Sequence, residues 1–161
     1  MTQDWTTPTG RYRLQIQAKV WKAMFLIVKA ARGVETGGLL LGKHSADARS
    51  AVVTEILGPP VDSTSERFTF HRGRRGLKDL LMAKWDAEPR TYYLGEWHSH
   101  PAYDLKPSPI DVEQMRRIAS YEPYRCRQPL LIICGPAREL RLKARLFIFP
   151  DDDEFSEFSR I

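Results

Sequence analysis

The chain has 161 residues, of which 42% are hydrophobic and 28% are charged, a composition typical of one globular domain with a single core. Its net charge of +5 is mildly basic and does not by itself distinguish nucleic acid, a membrane surface or an acidic protein as partner. The sequence has no basic segment followed by an apolar signal core, and no apolar run long enough to cross a bilayer. We therefore expect a cytoplasmic protein with no membrane partner.

The first elements are predicted from polarity and spacing. Residues 1–13 are expected to form a flexible N-terminal arm, although Trp5 is able to dock on the domain. An amphipathic helix is predicted over residues 16–31, with Gly33 as its C-terminal stop. The apolar residues that recur at spacings near three and four are Ile16, Val20, Met24, Ile27 and Val28.

Two strands and a loop follow. Residues 36–42 read as a buried strand, in which Gly37 and Gly38 bring the backbone close to a substrate, the site or a neighbouring strand, or form a bulge. Residues 52–57 predict a second strand. The turn-rich residues 58–65 predict a loop that borders the site.

A basic segment and a helix come next. Residues 67–75 carry alternating aromatic residues typical of a strand, followed by clustered arginines. A solvated face is favoured over a binding patch there, because charge runs on domain surfaces are common. Residues 77–85 place apolar side chains at helical spacing, which predicts a stripe facing the core: Leu77, Leu80, Leu81 and Trp85.

A strand that begins near Tyr92 carries the first candidate ligands. Side chains alternate along a strand, so His98 and His100 project from one face, while Trp97 and Ser99 project from the other. Two imidazoles placed in this way supply two of the three protein ligands that a catalytic zinc needs, and the fourth position is left for water.

The third candidate ligand opens the next helix. Ser108 is the predicted N-cap, Pro109 the first helical residue, and Asp111 lies in the first turn, where its carboxylate turns back toward the histidines. An alternative is that Ser108 and Asp111 form only a capping pair. The adjacent His-x-His favours the metal ligand. Zinc suits two imidazoles, one carboxylate and a hydrolytic water better than magnesium or calcium does.

After a helix to about residue 121, strands are predicted over residues 129–134 and 140–149, followed by an acidic C-terminal tail over 151–161. Cys134 falls within the first of these strands and is expected in the core, and neither it nor Cys126 is a convincing ligand. Strands interleaved with helices predict an α/β (α+β) fold, a curved mixed β-sheet flanked by helices. In the second strand the residues predicted to face inward are Leu140, Leu142, Ala144, Leu146 and Ile148.

The spacing His98-x-His100, seven residues, Ser108, two residues, Asp111 resembles the JAMM motif of JAB/MPN metallopeptidases. Glu35, before the glycine-rich strand, matches the upstream glutamate of that pattern. The resemblance spans one compact domain, which we place at residues 14–150, and implies a cytidine-deaminase-like JAB/MPN fold.

The roles of these residues follow from zinc chemistry and agree with those in the resembled family. His98, His100 and Asp111 would hold Zn2+, which activates water for attack on an amide carbonyl. Glu35 would act as the base that moves the proton, and Ser108 would donate to the oxyanion. Glu96 is considered as a partner that holds an imidazole tautomer, and Asp104 as a residue able to reach the site. His44 and His71 are left out of the ligand set.

The resemblance also implies a substrate class. JAMM enzymes resemble one another in cleaving the amide after the C-terminal glycine of ubiquitin-like proteins. The short chain is similar to the stand-alone prokaryotic type, including deconjugating proteases of CBASS-type antiphage operons. Expected partners are a ubiquitin-like protein or glycine-terminated conjugate, an E1/E2-like enzyme and a cyclic-nucleotide synthase.

Three alternatives remain. One is a protease that processes a sulfur-carrier protein. Another is a non-catalytic MPN scaffold, against which the filled ligand set argues. The last is a DNA-associated JAMM relative, which steeply salt-dependent DNA binding would favour. Such relatives usually carry an added N-terminal region that residues 1–13 cannot accommodate, so nucleic acid is not the expected partner.

Overall fold

The computed structural model describes residues 2–102, 104–138 and 141–161. The helices in these ranges are α1 (Ala18–Ala30), α2 (Leu77–Asp86) and α3 (Pro109–Ser120), with a 3-10 turn at Glu122–Tyr124. None of them combines the length and apolar character that spanning a bilayer requires. The strands are β1 (Thr2–Thr6), β2 (Arg13–Gln17), β3 (Gly37–His44), β4 (Ser50–Leu57), β5 (Thr64–Ser65), β6 (Phe70–His71), β7 (Tyr92–Ser99), β8 (Leu130–Cys134), β9 (Ala144–Ile148), β10 (Ser156–Glu157) and β11 (Ser159–Arg160).

One large sheet organises the described chain, in the order β10-β9-β8-β7-β3-β4-β2-β1-β11, and β5 and β6 form a separate hairpin. The pairs β2/β4 and β7/β8 are parallel, whereas the others are antiparallel. The predicted fold class, a curved mixed sheet flanked by helices, is confirmed.

Alternating side chains of β3 divide the core between the two faces of the sheet. Leu40 packs in a cluster with Val20 and Met24 of α1. Leu39 and Leu41 pack in a second cluster, which contains residues of α3. Helices therefore cover both faces, and β3 and β7 lie together at the centre of the sheet.

The prediction of a flexible N-terminal arm is wrong for the described residues. Thr2–Thr6 pair with β2 along their whole length and with β11 at Trp5 and Thr6. Trp5 packs half-buried against the core. The predicted helix also begins later than expected, at Ala18, because Ile16 belongs to β2. In β2, Leu14 and Ile16 are buried at alternate positions, and this period of two overlaps the helical spacing that starts at Ile16.

The acidic C-terminal segment also joins the sheet. It contains β10, which pairs with β9, and β11, which pairs with β1. Phe158 between them is buried. The last long strand begins at Ala144, later than the predicted residue 140, and Leu140 lies outside the described residues.

Helix α2 occurs where the spacing predicted it, but its apolar stripe is only partly covered. No residue of α2 is buried. Leu77 and Leu81 pack half-buried against the core cluster, whereas Leu80 is exposed. Trp85 is also half-buried and packs edge-on against Tyr92 at 5.2 Å between ring centroids. The predicted stripe is therefore only partly buried, and the prediction fails for Leu80.

Candidate metal centre

The candidate centre lies at the C-terminal end of β7. His98 is in this strand and His100 lies one residue beyond its end. The backbone N–H of His100 donates to the carbonyl of Cys134 at 2.8 Å, so the pairing with β8 extends past the last assigned residue. Both histidines are consequently held on a hydrogen-bonded backbone rather than on a loose loop.

Three potential ligand atoms converge at this place. One nitrogen each from His98 and His100 and one carboxylate oxygen of Asp111 lie within 4.8 Å of one another. The Nε2 atoms of the two histidines are 3.1 Å apart. Asp111 Oδ1 lies 3.7 Å from His98 Nε2, and the side chains of His98 and Asp111 are 13% and 17% exposed. Within the described residues this is the cluster with metal-binding geometry, and His44 and His71 are not in it.

Helix α3 places Asp111 through a capping box. Ser108 Oγ accepts from the backbone N–H of Asp111 at 3.1 Å, and Asp111 Oδ2 accepts from the backbone N–H of Ser108 at 2.7 Å. Pro109 occupies the first turn, where its missing N–H costs nothing. The predicted capping pair is therefore formed. Asp111 Oδ1 takes no part in it and faces the histidines.

The donor set fits zinc. Tetrahedral zinc with ligand bonds of roughly 2.0 to 2.3 Å separates its ligand atoms by about 3.3 to 3.7 Å, close to the 3.1 and 3.7 Å observed. His100 Nδ1 lies 2.7 Å from the backbone carbonyl of Asp104. That carbonyl can only accept, so Nδ1 carries the proton and Nε2 keeps its lone pair for a metal. Burial lowers the pKa of His98 and keeps this imidazole neutral as well.

Glu35 approaches the same centre from the start of β3. Its neighbour Thr36 pairs with Ser99: the N–H of Ser99 donates to the Thr36 carbonyl at 2.8 Å, and the N–H of Thr36 donates to Ser99 Oγ at 3.1 Å. Burial raises the pKa of the Glu35 carboxyl; the proximity of His100 opposes this shift, and that of Asp111 adds to it. The carboxyl thus shares an electrostatic environment with two of the candidate ligands.

A cleft of about 650 Å³ contains the whole set. Its walls come from the segment before β3, the hairpin β5–β6, the end of β7 and the first turn of α3. The five residues singled out for zinc and catalysis all line it: Glu35, His98, His100, Ser108 and Asp111. A cleft of this volume is large enough for a segment of polypeptide.

The two glycines of β3 serve close strand packing. A Cβ atom on Gly37 would overlap the carbonyl oxygen of Trp97 and lie 2.9 Å from the Cβ of His98, and one on Gly38 would overlap the carbonyl oxygen of Leu57. The backbone therefore approaches the neighbouring strands, β7 at Gly37 and β4 at Gly38. The register shift between β3 and β7 falls between Leu40 and Leu41, so the suggestion of a bulge at the two glycines is wrong.

Glu96 does not hold an imidazole, contrary to the sequence-based suggestion. Its Oε2 accepts from Arg72 Nε at 2.7 Å and its Oε1 accepts from the Tyr93 hydroxyl at 2.7 Å. Asp104 does reach the site, but through its backbone carbonyl. A carbonyl is common to every residue and leaves no signal in a sequence. The prediction of a solvated face is wrong for Arg72, whose side chain is 7% exposed. Its position two residues after Phe70, on the same face of a strand, is the signal in the sequence for this burial.

Comparisons with known proteins identify the family. A profile of prokaryotic homologs of the JAB domain matches residues 17–145. A "CD-NTase/cGAS isopeptidase" from Enterobacter hormaechei subsp. hoffmannii (strain UCI 50) is 44% identical over 112 residues, covering 68% of this chain and 61% of that protein. Another protein of the same name, from Pseudomonas aeruginosa (strain BWHPSA011 / Pa011), is 31% identical over 128 residues, covering 79% and 76%. The match to the Enterobacter protein thus spans less than two thirds of its length.

A solved structure supports the fold. The solution structure of protein DSY2949 from Desulfitobacterium hafniense has a TM-score of 0.58 and 21% sequence identity, with 91% of this chain and 88% of that chain covered. At this identity the likeness concerns the arrangement of strands and helices only.

Proposed function

Because the chain belongs to the family of prokaryotic JAB domains, we propose that it is a zinc-dependent isopeptidase with residues 14–150 as its catalytic domain. The observation that carries the proposal is the convergence of His98, His100 and Asp111 in a cleft that also contains a non-ligating carboxyl group. A scaffold that had lost catalysis would have no need for this arrangement.

His98, His100 and Asp111 would hold the zinc ion through Nε2, Nε2 and Oδ1. When bound, zinc supplies Lewis-acid chemistry: it lowers the pKa of a water and polarises an amide carbonyl. The chain's own contribution is to fix the ligands. The carbonyl of Asp104 orients His100, and the backbone N–H of Ser108 orients Asp111.

Glu35 moves the proton. Its carboxylate takes a proton from the attacking water and delivers it to the departing amine nitrogen, so that the amine leaves neutral. A raised pKa supports this role, because a more basic carboxylate accepts the proton of the water more readily. Burial provides this shift in Glu35.

Ser108 stabilises the charge that develops on the carbonyl oxygen. The Ser108 oxygen accepts the N–H of Asp111 through a lone pair, and this leaves the hydroxyl proton available for donation. A donor aimed at the oxyanion favours the transition state over the ground state and therefore raises the rate of the chemical step.

The names of the two isopeptidase relatives suggest the substrate. We propose that the scissile amide joins the C-terminal residue of a CD-NTase-class nucleotidyltransferase, or of a ubiquitin-like protein, to the amine of a target to which E1/E2-like machinery has attached it. In this proposal the protein is the deconjugating member of a CBASS-type system. Two free cysteines agree with the cytoplasmic location that such a partner would require.

The test is cleavage of a defined conjugate. Purified enzyme is incubated with a CD-NTase joined through its C-terminal residue to a lysine side chain, and with the same protein carrying a C-terminal peptide fusion. Mass spectrometry of the products should show release of the CD-NTase with its native C-terminus. Cleavage of a sulfur-carrier or ubiquitin-like fusion instead would change the proposed substrate, and cleavage of none of them would contradict the peptidase function.

A further inference from the structure

A buried ion pair joins the hairpin β5–β6 to the strand that carries the histidines. Arg72 Nε donates to Glu96 Oε2 at 2.7 Å, and both side chains are 7% exposed. Arg72 Nη2 donates to the Tyr124 hydroxyl at 2.8 Å, and its Nη1 donates to the Gly73 carbonyl at 2.9 Å. All three guanidinium nitrogens are thus used, and Glu96 lies two residues before His98.

The hairpin held by this pair is a wall of the metal cleft. Phe68, Phe70 and Arg72 all line the cleft. Two further contacts connect the hairpin to the proposed machinery: the Glu66 carbonyl accepts from the N–H of Glu35 at 2.8 Å, and the Phe70 ring lies against the backbone of β3 at Gly37. Movement of the hairpin would therefore change the space around both Glu35 and the histidines.

The hairpin cannot hold its place alone. Each of its strands is two residues long, with the pairs Thr64/His71 and Ser65/Phe70, and a short isolated hairpin is at best marginally stable in water. Buried Arg–carboxylate contacts are directional and resist displacement, because separation would leave a charge uncompensated in the interior. Among the described residues, Arg72–Glu96 is the salt bridge that links this segment to the sheet, and it is buried.

The hairpin presents an exposed apolar side chain at the cleft mouth. Phe68 is 67% exposed, and Ile110, in the first turn of α3, is 76% exposed. Both line the cleft, from two different walls. Covering such side chains with substrate is favourable in proportion to the apolar area removed from water, so the position of the hairpin determines how much of that area a bound polypeptide can cover.

We propose that Arg72 is a positioning residue: through Glu96 it holds the hairpin of residues 64–71 as a fixed wall of the cleft and thereby sets the affinity for a polypeptide substrate. The substrate part of this inference rests on the proposed peptidase function, whereas the positioning part does not. If the ion pair only stabilised the fold, its loss would accelerate amide exchange throughout the sheet and not in the hairpin alone.

The experiment combines hydrogen exchange with steady-state kinetics. Arg72→Lys keeps the charge beside Glu96 but loses the planar hydrogen-bonding geometry, and Arg72→Gln/Glu96→Gln removes both charges together. The matched control is Lys84→Gln, which breaks the ion pair of Lys84 with Glu55, 2.6 Å long and outside the cleft lining.

In both Arg72 variants, amides of residues 64–71 should exchange at least about tenfold faster while those of β8 stay protected. KM for the conjugate should rise about tenfold with little change in kcat, since uniform binding is lost. Zinc content should match wild type. The control should change neither exchange in the hairpin nor KM.

Wild-type exchange in the hairpin of both variants would overturn the proposal. Exchange that accelerates across the whole sheet would overturn it too, because the pair would then serve overall stability. If wild-type enzyme cleaves no conjugate, the peptidase function fails, but the exchange measurements still decide whether Arg72 positions the hairpin. Faster exchange with unchanged KM would refute the link to substrate affinity.

Discussion

Ser108 and Asp111 fix each other through a capping box, and the two carboxylate oxygens of Asp111 have different surroundings. Oδ2 accepts from the backbone N–H of Ser108 at 2.7 Å, whereas Oδ1 lies 3.7 Å from His98 Nε2. An N-terminal cap that orders the helix therefore also orients a candidate zinc ligand. The Ser108 hydroxyl takes part in the same arrangement and retains its proton.

Two substitutions can separate the role of Ser108 as helix cap from its proposed role in oxyanion stabilisation. Ser108→Ala should cost about 0.5 to 2 kcal/mol of stability through loss of the cap, whereas Ser108→Gly should cost only a few tenths. Both remove the hydroxyl, so kcat should fall about 10² to 10³-fold in each. Urea unfolding and steady-state kinetics check the two effects. Wild-type kcat in Ser108→Gly would refute the role in oxyanion stabilisation.

Glu35→Gln should retain the metal but lose turnover. The amide cannot accept the proton from water, and loss of a general base lowers the rate by about 10² to 10⁴-fold. The check is kcat measured together with zinc content, with Glu113→Gln, on the exposed surface of α3, as the matched control. Full activity of Glu35→Gln with bound zinc would show that the base lies elsewhere.

Gly37→Ala should disturb the metal centre without replacing any of the proposed ligands. The added Cβ would lie 2.9 Å from the Cβ of His98 and overlap the Trp97 carbonyl. Overpacking of this kind costs about 1 to 3 kcal/mol, and relief by displacement of β7 should weaken zinc binding. At Gly58 the nearest atom to an added Cβ is 3.4 Å away, so Gly58→Ala is the control. Equal stability and zinc affinity in the two variants would contradict the close packing of β3 on β7.

The ion pair between Arg145 and Glu157 should give a small pH-dependent stability. Two hydrogen bonds of 2.7 and 2.6 Å connect the side chains, and those from Arg145 lower the pKa of Glu157 below its ordinary value of 4.5. The stabilisation is therefore present above pH 4.5 and is lost as the pH falls through the pKa of the folded state. Because both side chains are more than one third exposed, it should stay within about 1 kcal/mol.

Urea unfolding of wild type and Glu157→Gln at several pH values checks this sign. The wild type should be the more stable protein at pH 7, and the difference should shrink as the solution is acidified below pH 4.5. A difference that grows on acidification would contradict the assigned direction of the pKa shift.

The convergence of His98, His100 and Asp111 could be predicted because its signal is local. The two histidines share a strand face, and Asp111 follows an N-cap serine and a proline. Both features can be recognised from residues that are close together in the sequence. Capping does not exclude the predicted role as a metal ligand, because Asp111 Oδ2 accepts the capping hydrogen bond while Oδ1 lies 3.7 Å from His98 Nε2. Glu35 could be placed only by resemblance, because its approach depends on pairing of Thr36 with Ser99 across two strands.

Long-range pairing also explains what was missed. The first strand looked like a polar arm because part of its pairing is with β11, from the far end of the chain, and that contact leaves no local pattern. The pairing with β2 is a local hairpin, for which Pro8 and Gly10 in the turn are the available signal. Arg72 looked solvated for the same reason: its partner Glu96 lies 24 residues away. A buried charge is recognised only with its partner, which the sequence does not place beside it.

The most direct test of the account is the zinc content of the purified wild type and of His98→Ala/His100→Ala, measured together with conjugate cleavage in the presence and absence of a chelator. We expect about one zinc per wild-type chain, loss of that zinc in the double variant, and cleavage that the chelator abolishes and added zinc restores. Wild-type protein without bound metal after preparation free of chelators, or cleavage that the chelator leaves intact, would contradict the assignment of a zinc isopeptidase.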